Sequence, residues 1–147
     1  MKPNYGLAVV GGTLGTIAMS MMMMFVAPMM GVHMDIAKNL ADMMGAPWMV
    51  GMLVHVMLGA LLLPAIFVFV LLKYQPGSPL NKGLILGGAL WFMLEILLMP
   101  MMGMGIFGSA GPGMKGAVAA LVAHLIYGAA LGGVFAWGIE KPMATAA

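Results

Sequence analysis

The sequence predicts an all-α fold: an integral membrane four-helix bundle built from two parallel-repeat helical hairpins, with a short interfacial helix in the first outer loop. Three observations predict it. Hydrophobic residues make up 63% of the 147 positions and charged residues 7%, against roughly half and roughly a quarter in a soluble domain. So few charges cannot cover a water-soluble surface. Four apolar runs, near 6–30, 48–73, 83–104 and 115–138, each reach the ~20 residues that cross a bilayer. Finally, the unusual pentad "APMMG" at 27–31 returns as "MPMMG" at 99–103.

The runs are continuously apolar rather than alternating, which favours helices, since an open sheet leaves its backbone unsatisfied in lipid. The first run is too long and too weakly charged at its start for a secretory signal, and no small-residue cleavage site follows it. It reads as a retained span. In the first outer loop, "HMDIAKNLADMMGAP" (33–47), Met34, Ala37, Leu40, Ala41 and Met44 fall on one helical face. Asp35, Lys38, Asn39 and Asp42 fall on another, the pattern of a helix lying in the interface. "YQPGSPLNK" (74–82) is a turn-rich linker. Pro28 and Pro100 each remove a backbone hydrogen bond, and "MMGMGIFG" (101–108) is expected to bend or re-enter. "GSAGPGMKG" (108–116) is too rich in Gly and Pro to be helical.

Lysine placement sets the orientation. Lys2, Lys73, Lys82 and Lys141 lie on the side of the termini and linker; Lys38 and Lys115 lie opposite. Four against two puts both termini in the cytoplasm by the positive-inside rule, in a bacterial inner membrane. Trp48, Trp137, Tyr5 and Tyr74 near the span ends fit an aromatic belt.

The chain reads as a single membrane domain over 1–147, with repeat A at 1–73, repeat B at 83–141 and 74–82 between them. "GLAVVGGTLG" (6–15) pairs with "GLILGGALW" (83–91), the two PMMG pentads pair, and "GMLVHVMLGALL" (51–62) pairs with "AALVAHLIYGAALGG" (119–133). Such weak internal similarity is the usual trace of duplication in membrane proteins. Each copy holds two spans, so both copies face the same way. His55 and His124 become symmetry mates, about 10–14 Å deep at ~1.5 Å per residue.

These histidines are the candidate site. His55 lies between Gly51 and Gly59, and His124 between Ala120 and Gly128, at spacings of four that share a helix face. One reading is small-xxx-small helix packing with hydrogen-bonded histidines. A second is haem b, a flat macrocycle in the gap lined by Gly51, Gly59 and Gly128, its iron held axially by His55 and His124. The lack of any arginine counts against haem, whose propionates want cationic partners. A third is Cu(I), which suits imidazole and thioether ligands. Methionine supplies 21 residues, crowding the outer half at 21–24, 29–30, 49, 52, 99, 101–102 and 104. Methionine is also a flexible core filler, so only a subset can converge on one ion. His33, beside Asp35, reads as a loop or cap residue.

Glu95 is the one acid inside a span. A carboxylate there should be protonated or paired, and it is a candidate proton or polar partner for His55 or His124; the repeat sets it opposite Met23. The glycine pairs at 11–12, 87–88 and 132–133 fit close helix contact. With no cysteine, disulfides and thiolate chemistry are excluded. Six lysines and no arginine argue against nucleic acid as a partner. Nothing resembles a nucleophile with its base, a phosphate loop or a Rossmann fingerprint.

"GTIAM" (15–19), "APMMG" (27–31), "MDIA" (34–37), "HVMLG" (55–59), "MPMMG" (99–103) and "HLIYG" (124–128), in this order, resemble a bacterial family of small four-span membrane proteins of unknown function. The resemblance implies the four-helix fold and no activity. The function expected is a small non-catalytic membrane protein. It is a haem b-binding electron-transfer or respiratory-complex subunit, or a cofactor-free accessory subunit of a larger complex, or a Cu(I)-handling protein. It sits in the lipid bilayer as a homo-oligomer or within a larger complex.

Overall fold

The computed structural model describes residues 4–140, and no strand occurs among them. Lys2 and Lys141, two of the lysines used for orientation, lie outside the described residues. Four helices are long and apolar enough to span a membrane: α1 (Tyr5–Met30), α3 (Trp48–Tyr74), α4 (Pro79–Met101) and α5 (Gly113–Glu140). A short helix, α2 (Ile36–Met44), joins the first two. The chain is a multi-pass membrane protein.

Local chemistry sets the helix ends. Asn4 caps α1 by accepting from the Leu7 N–H. Asp35 does the same for α2 with one oxygen, from the Lys38 N–H, while its other oxygen takes the Trp48 indole N–H at 2.9 Å. One aspartate thus fixes the start of α2 and the start of α3. Gly45, at φ +62°, ends α2. Ala37, Leu40 and Ala41 are buried against α3, where Gly51 lets the helices touch backbone to backbone: a Cβ there would collide with the Ala37 carbonyl. Met44, assigned to the same apolar face, is exposed. Lys38 pairs with Asp42 on the opposite face, which raises its ammonium pKa above the usual value.

The expected linker is shorter than its sequence suggests. Ser78 caps α4 by accepting from the Asn81 N–H, and Pro79 stands in its first turn, so the helix starts four residues before the expected 83. Lys82 is buried and donates to the Leu72 carbonyl at 3.3 Å, tying the C-terminus of α3 to the start of α4.

Small residues make the tight contacts. Gly11 and Gly15 of α1 meet the backbone of Leu131 and Tyr127 in α5. Gly83 and Gly87 of α4 meet Gly128 and His124 of the same helix. With little hydrophobic drive between helices in lipid, close backbone approach supplies the dispersion that holds them. Within each expected glycine pair the partners differ: at 87–88 and 132–133 the first glycine is in close contact, whereas Gly88 is open and Gly133 only grazes Leu80. On the linker side a core forms from Ala8, Phe67, Val68, Leu86, Tyr127, Leu131 and Phe135, with the Phe67 and Phe135 rings edge to face at 5.6 Å. Helices α3 and α4 meet there, through Phe67–Leu71. Farther from the linker they diverge.

Three prolines bend the spans by one device. Pro28, Pro64 and Pro100 each follow a widened π-turn, at Met22–Val26, Leu58–Leu62 and Leu94–Leu98. The residue before each proline reaches five residues back: Ala27 to Met22, Leu63 to Leu58, Met99 to Leu94. A proline has no N–H and its ring crowds the carbonyl four residues earlier, and widening the turn relieves that crowding. The turns at Pro28 and Pro100 then close identically. Gly31 and Gly103 take φ of +77° and +75°. Their N–H groups bond Pro28 and Pro100, and the next residues, Val32 and Met104, bond Ala27 and Met99.

Beyond Gly103 the chain does not continue outward. Helix α4 ends at Met101, three residues short of the expected 104. Gly105 and Gly108 have positive φ, as does Phe107 at +52°. The loop folds back against Leu94–Leu98, so that the Phe107 ring lies 5.8 Å from Trp91. Trp91 is about 15 Å along α4 from its end. This is the bend or re-entry expected of 101–108.

Candidate functional site

Where α3 and α4 diverge, a cavity of about 760 Å³ opens. All four spans and α2 line it. Helix α1 contributes Met19, Ser20, Met23 and Met24; α3 contributes Met52, His55 and Gly59; α4 contributes Leu90, Met93 and Leu94; α5 contributes Ala123, His124 and Tyr127. His33 and Lys38 lie on its wall as well. Every histidine of the chain, and seven of its 21 methionines, therefore face one space.

The two span histidines are held differently. His55 is buried, and its Nε2 is 3.3 Å from the Ser20 hydroxyl of α1. The Nδ1 of His124 lies 2.7 Å from the Ala120 carbonyl one turn earlier. A carbonyl can only accept, so Nδ1 donates, and in the neutral imidazole Nε2 carries the lone pair. That is the second-shell bond by which a ligating imidazole is usually oriented.

Tyr127 anchors the wall between them. Its hydroxyl donates to the Gly59 carbonyl at 2.7 Å. This carbonyl lost its helical donors when the Leu63 N–H bonded to Leu58 and the next residue proved to be Pro64. The tyrosine fills the vacancy made by the proline, locking α5 to the bend of α3.

The glycines around the histidines serve other contacts. Gly51 packs on Ala37, Gly128 on Gly83, and Gly59, though on the cavity wall, on Thr16 of α1. The faces one turn from each imidazole are thus covered by helices and form no flat slot. Among the described residues, Lys38 is the one cationic group on the cavity wall, and Asp42 pairs with it.

Glu95 does not line this cavity. It is fully buried in the π-turn of α4, and neither carboxyl oxygen has a hydrogen-bond partner. It is not hydrogen-bonded to His55 or His124. Met23, its counterpart in α1, does face the cavity.

Among the described residues, no three His, Cys, Asp or Glu side chains gather closely enough to share one ion. A metal held here would draw on thioethers beside imidazole. Ser20 and Tyr127 escaped the sequence reading: the serine is hidden in "MSMMMM", and the tyrosine has a signal only in retrospect, as the polar residue of "HLIYG". His33, read as a loop residue, belongs to the cavity wall, where the turn after Gly31 carries it.

Comparison with curated proteins and with solved structures finds no match. The chain matches the family of unknown function DUF6789 over residues 3–145, and it belongs to that family.

Proposed function

We propose that this chain is a non-catalytic membrane protein that binds Cu(I) in the cavity between α3 and α4, using imidazole from His55 and His124 and thioethers from the surrounding methionines. One observation carries this reading: all three histidines and seven methionines line the same space. These donors are neutral and soft, the set that Cu(I) prefers. They add no uncompensated negative charge within a span, where charge is costly. The four lysines assigned to the linker side set the termini in the cytoplasm, and the shared geometry at Pro28 and Pro100 supports descent of both halves from one hairpin.

Haem b is the second reading, favoured by cavity size and by the bond of His124 to Ala120. About 760 Å³ suits a cofactor as well as an ion, since ligand pockets run to roughly 300–1,000 Å³. His55 of α3 and His124 of α5 would supply the imidazoles that hold the haem. The covered glycine faces, and the lack of an unpaired lysine on the cavity wall among the described residues, set this reading behind copper.

One preparation separates the two. The purified chain, reduced and titrated anaerobically with Cu(I) against a chromogenic chelator, should withdraw copper, and His55→Ala with His124→Ala should abolish tight withdrawal. A Soret band with an α-band sharpened by dithionite, lost in the same variants, would establish haem instead. A colourless protein that withdraws no copper and purifies with a larger complex would leave the accessory-subunit reading.

A further inference from the structure

A second, smaller pocket of about 230 Å³ lies between α2 and the end of α4. Its wall consists of Asn39, Asp42 and Met43 from α2 with Met101, Met102 and Met104 from the second PMMG turn and the loop after it. Met101 and Met43 are 62% and 44% exposed, so the pocket is open at the surface remote from the linker. Asn39 and Met104 also line the large cavity. The two spaces share a wall, and one methionine faces both.

We propose that this pocket is a separate Cu(I) site, which takes the ion from solution on the side remote from the linker and passes it through Met104 to the inner cavity. The proposal rests on the copper reading of that cavity. Four thioethers suit a soft monovalent cation, whereas hard divalent ions prefer oxygen-rich shells and would find few oxygens here. Passage is a ligand exchange: one sulfur–copper bond forms as another breaks, and copper remains Cu(I) throughout. No proton moves, because thioethers bind without being deprotonated. In the second copy of the pentad, Met101 and Met102 line this pocket opposite Asn39, Asp42 and Met43 of α2.

The test uses the full-length protein in detergent under anaerobic conditions, with Ag(I) as a redox-inert probe and Cu(I) in parallel. The parent should bind about two ions per chain. The triple variant Met43→Leu, Met101→Leu, Met102→Leu keeps side-chain volume and spares the shared Met104. It should bind about one ion, and should fill its inner site more slowly than the parent. A triple variant that binds as many ions as the parent overturns the outer site. If instead His55→Ala with His124→Ala leaves the ion count unchanged while the triple variant loses one, the inner reading fails and the outer site stands.

Discussion

The turns at Pro28 and Pro100 are built alike but lie in different surroundings. Both have a π-turn, a proline two residues on, and a left-handed glycine that returns its N–H to the proline carbonyl. After Gly31 the chain leaves α1 and lays α2 across the next span. After Gly103 it folds back along the helix it has just left, over Leu94–Leu98. The second position of each π-turn therefore meets a different fate: Met23 faces the cavity, and Glu95 is sealed away from it without a partner. The two turns share a backbone geometry while their side-chain environments differ, so the second position of the π-turn lines the large cavity in one half and not in the other.

Exchanging the two side chains probes this contrast most strongly. Met23→Glu sets a carboxyl on the cavity wall within a span and should cost about 3 kcal/mol. Glu95→Met removes two undonated oxygens at nearly constant volume and should raise stability by about 1–2 kcal/mol. Thermal melting in detergent reads both, and destabilisation by both would show that Glu95 has a partner outside this chain. The third proline turn sharpens the comparison, because there the freed carbonyl has a donor. Tyr127→Phe leaves the Gly59 carbonyl without one and should cost about 1–2 kcal/mol, with faster amide exchange near Pro64. A last pair of substitutions tests likeness itself. Gly31→Ala and Gly103→Ala meet no neighbouring atom within 4 Å, so each should lose only the left-handed backbone penalty, about 1–2 kcal/mol and equal in the two. Unequal losses would break the equivalence of the turns.

Much of the fold was legible because bilayer length and hydropathy act locally. All four spans lie where the apolar runs put them, and the short helix of 33–47 was visible in the spacing of Ala37, Leu40 and Ala41. Boundaries slipped where a cap outweighed composition: Ser78 and Pro79 start α4 inside what looked like linker, and Gly103 ends the segment that looked three residues longer. His55 and His124, singled out by their glycine-flanked spacing, both line one cavity. The cavity itself was not legible, since it depends on how the four spans and α2 pack around it, a fact of tertiary structure. The roles of the glycines were half legible. Spacing of four marked them as contact surfaces, but not that Gly51 would receive α2 and Gly128 would receive α4. Glu95 was correctly singled out as anomalous, yet its separation from the histidines depends on which face the π-turn gives it, and a uniform 3.6-residue count does not report that.

The contact of α3 with α4 beside the linker works like the pivot of a pair of tongs. Lys82 clasps Leu72 at the closed end, and no comparable bond joins the two arms among the described residues farther along. A thinner or thicker bilayer acts on the arms through helix tilt. Affinity for whatever the cavity holds should therefore vary with acyl-chain length even though no donor atom changes.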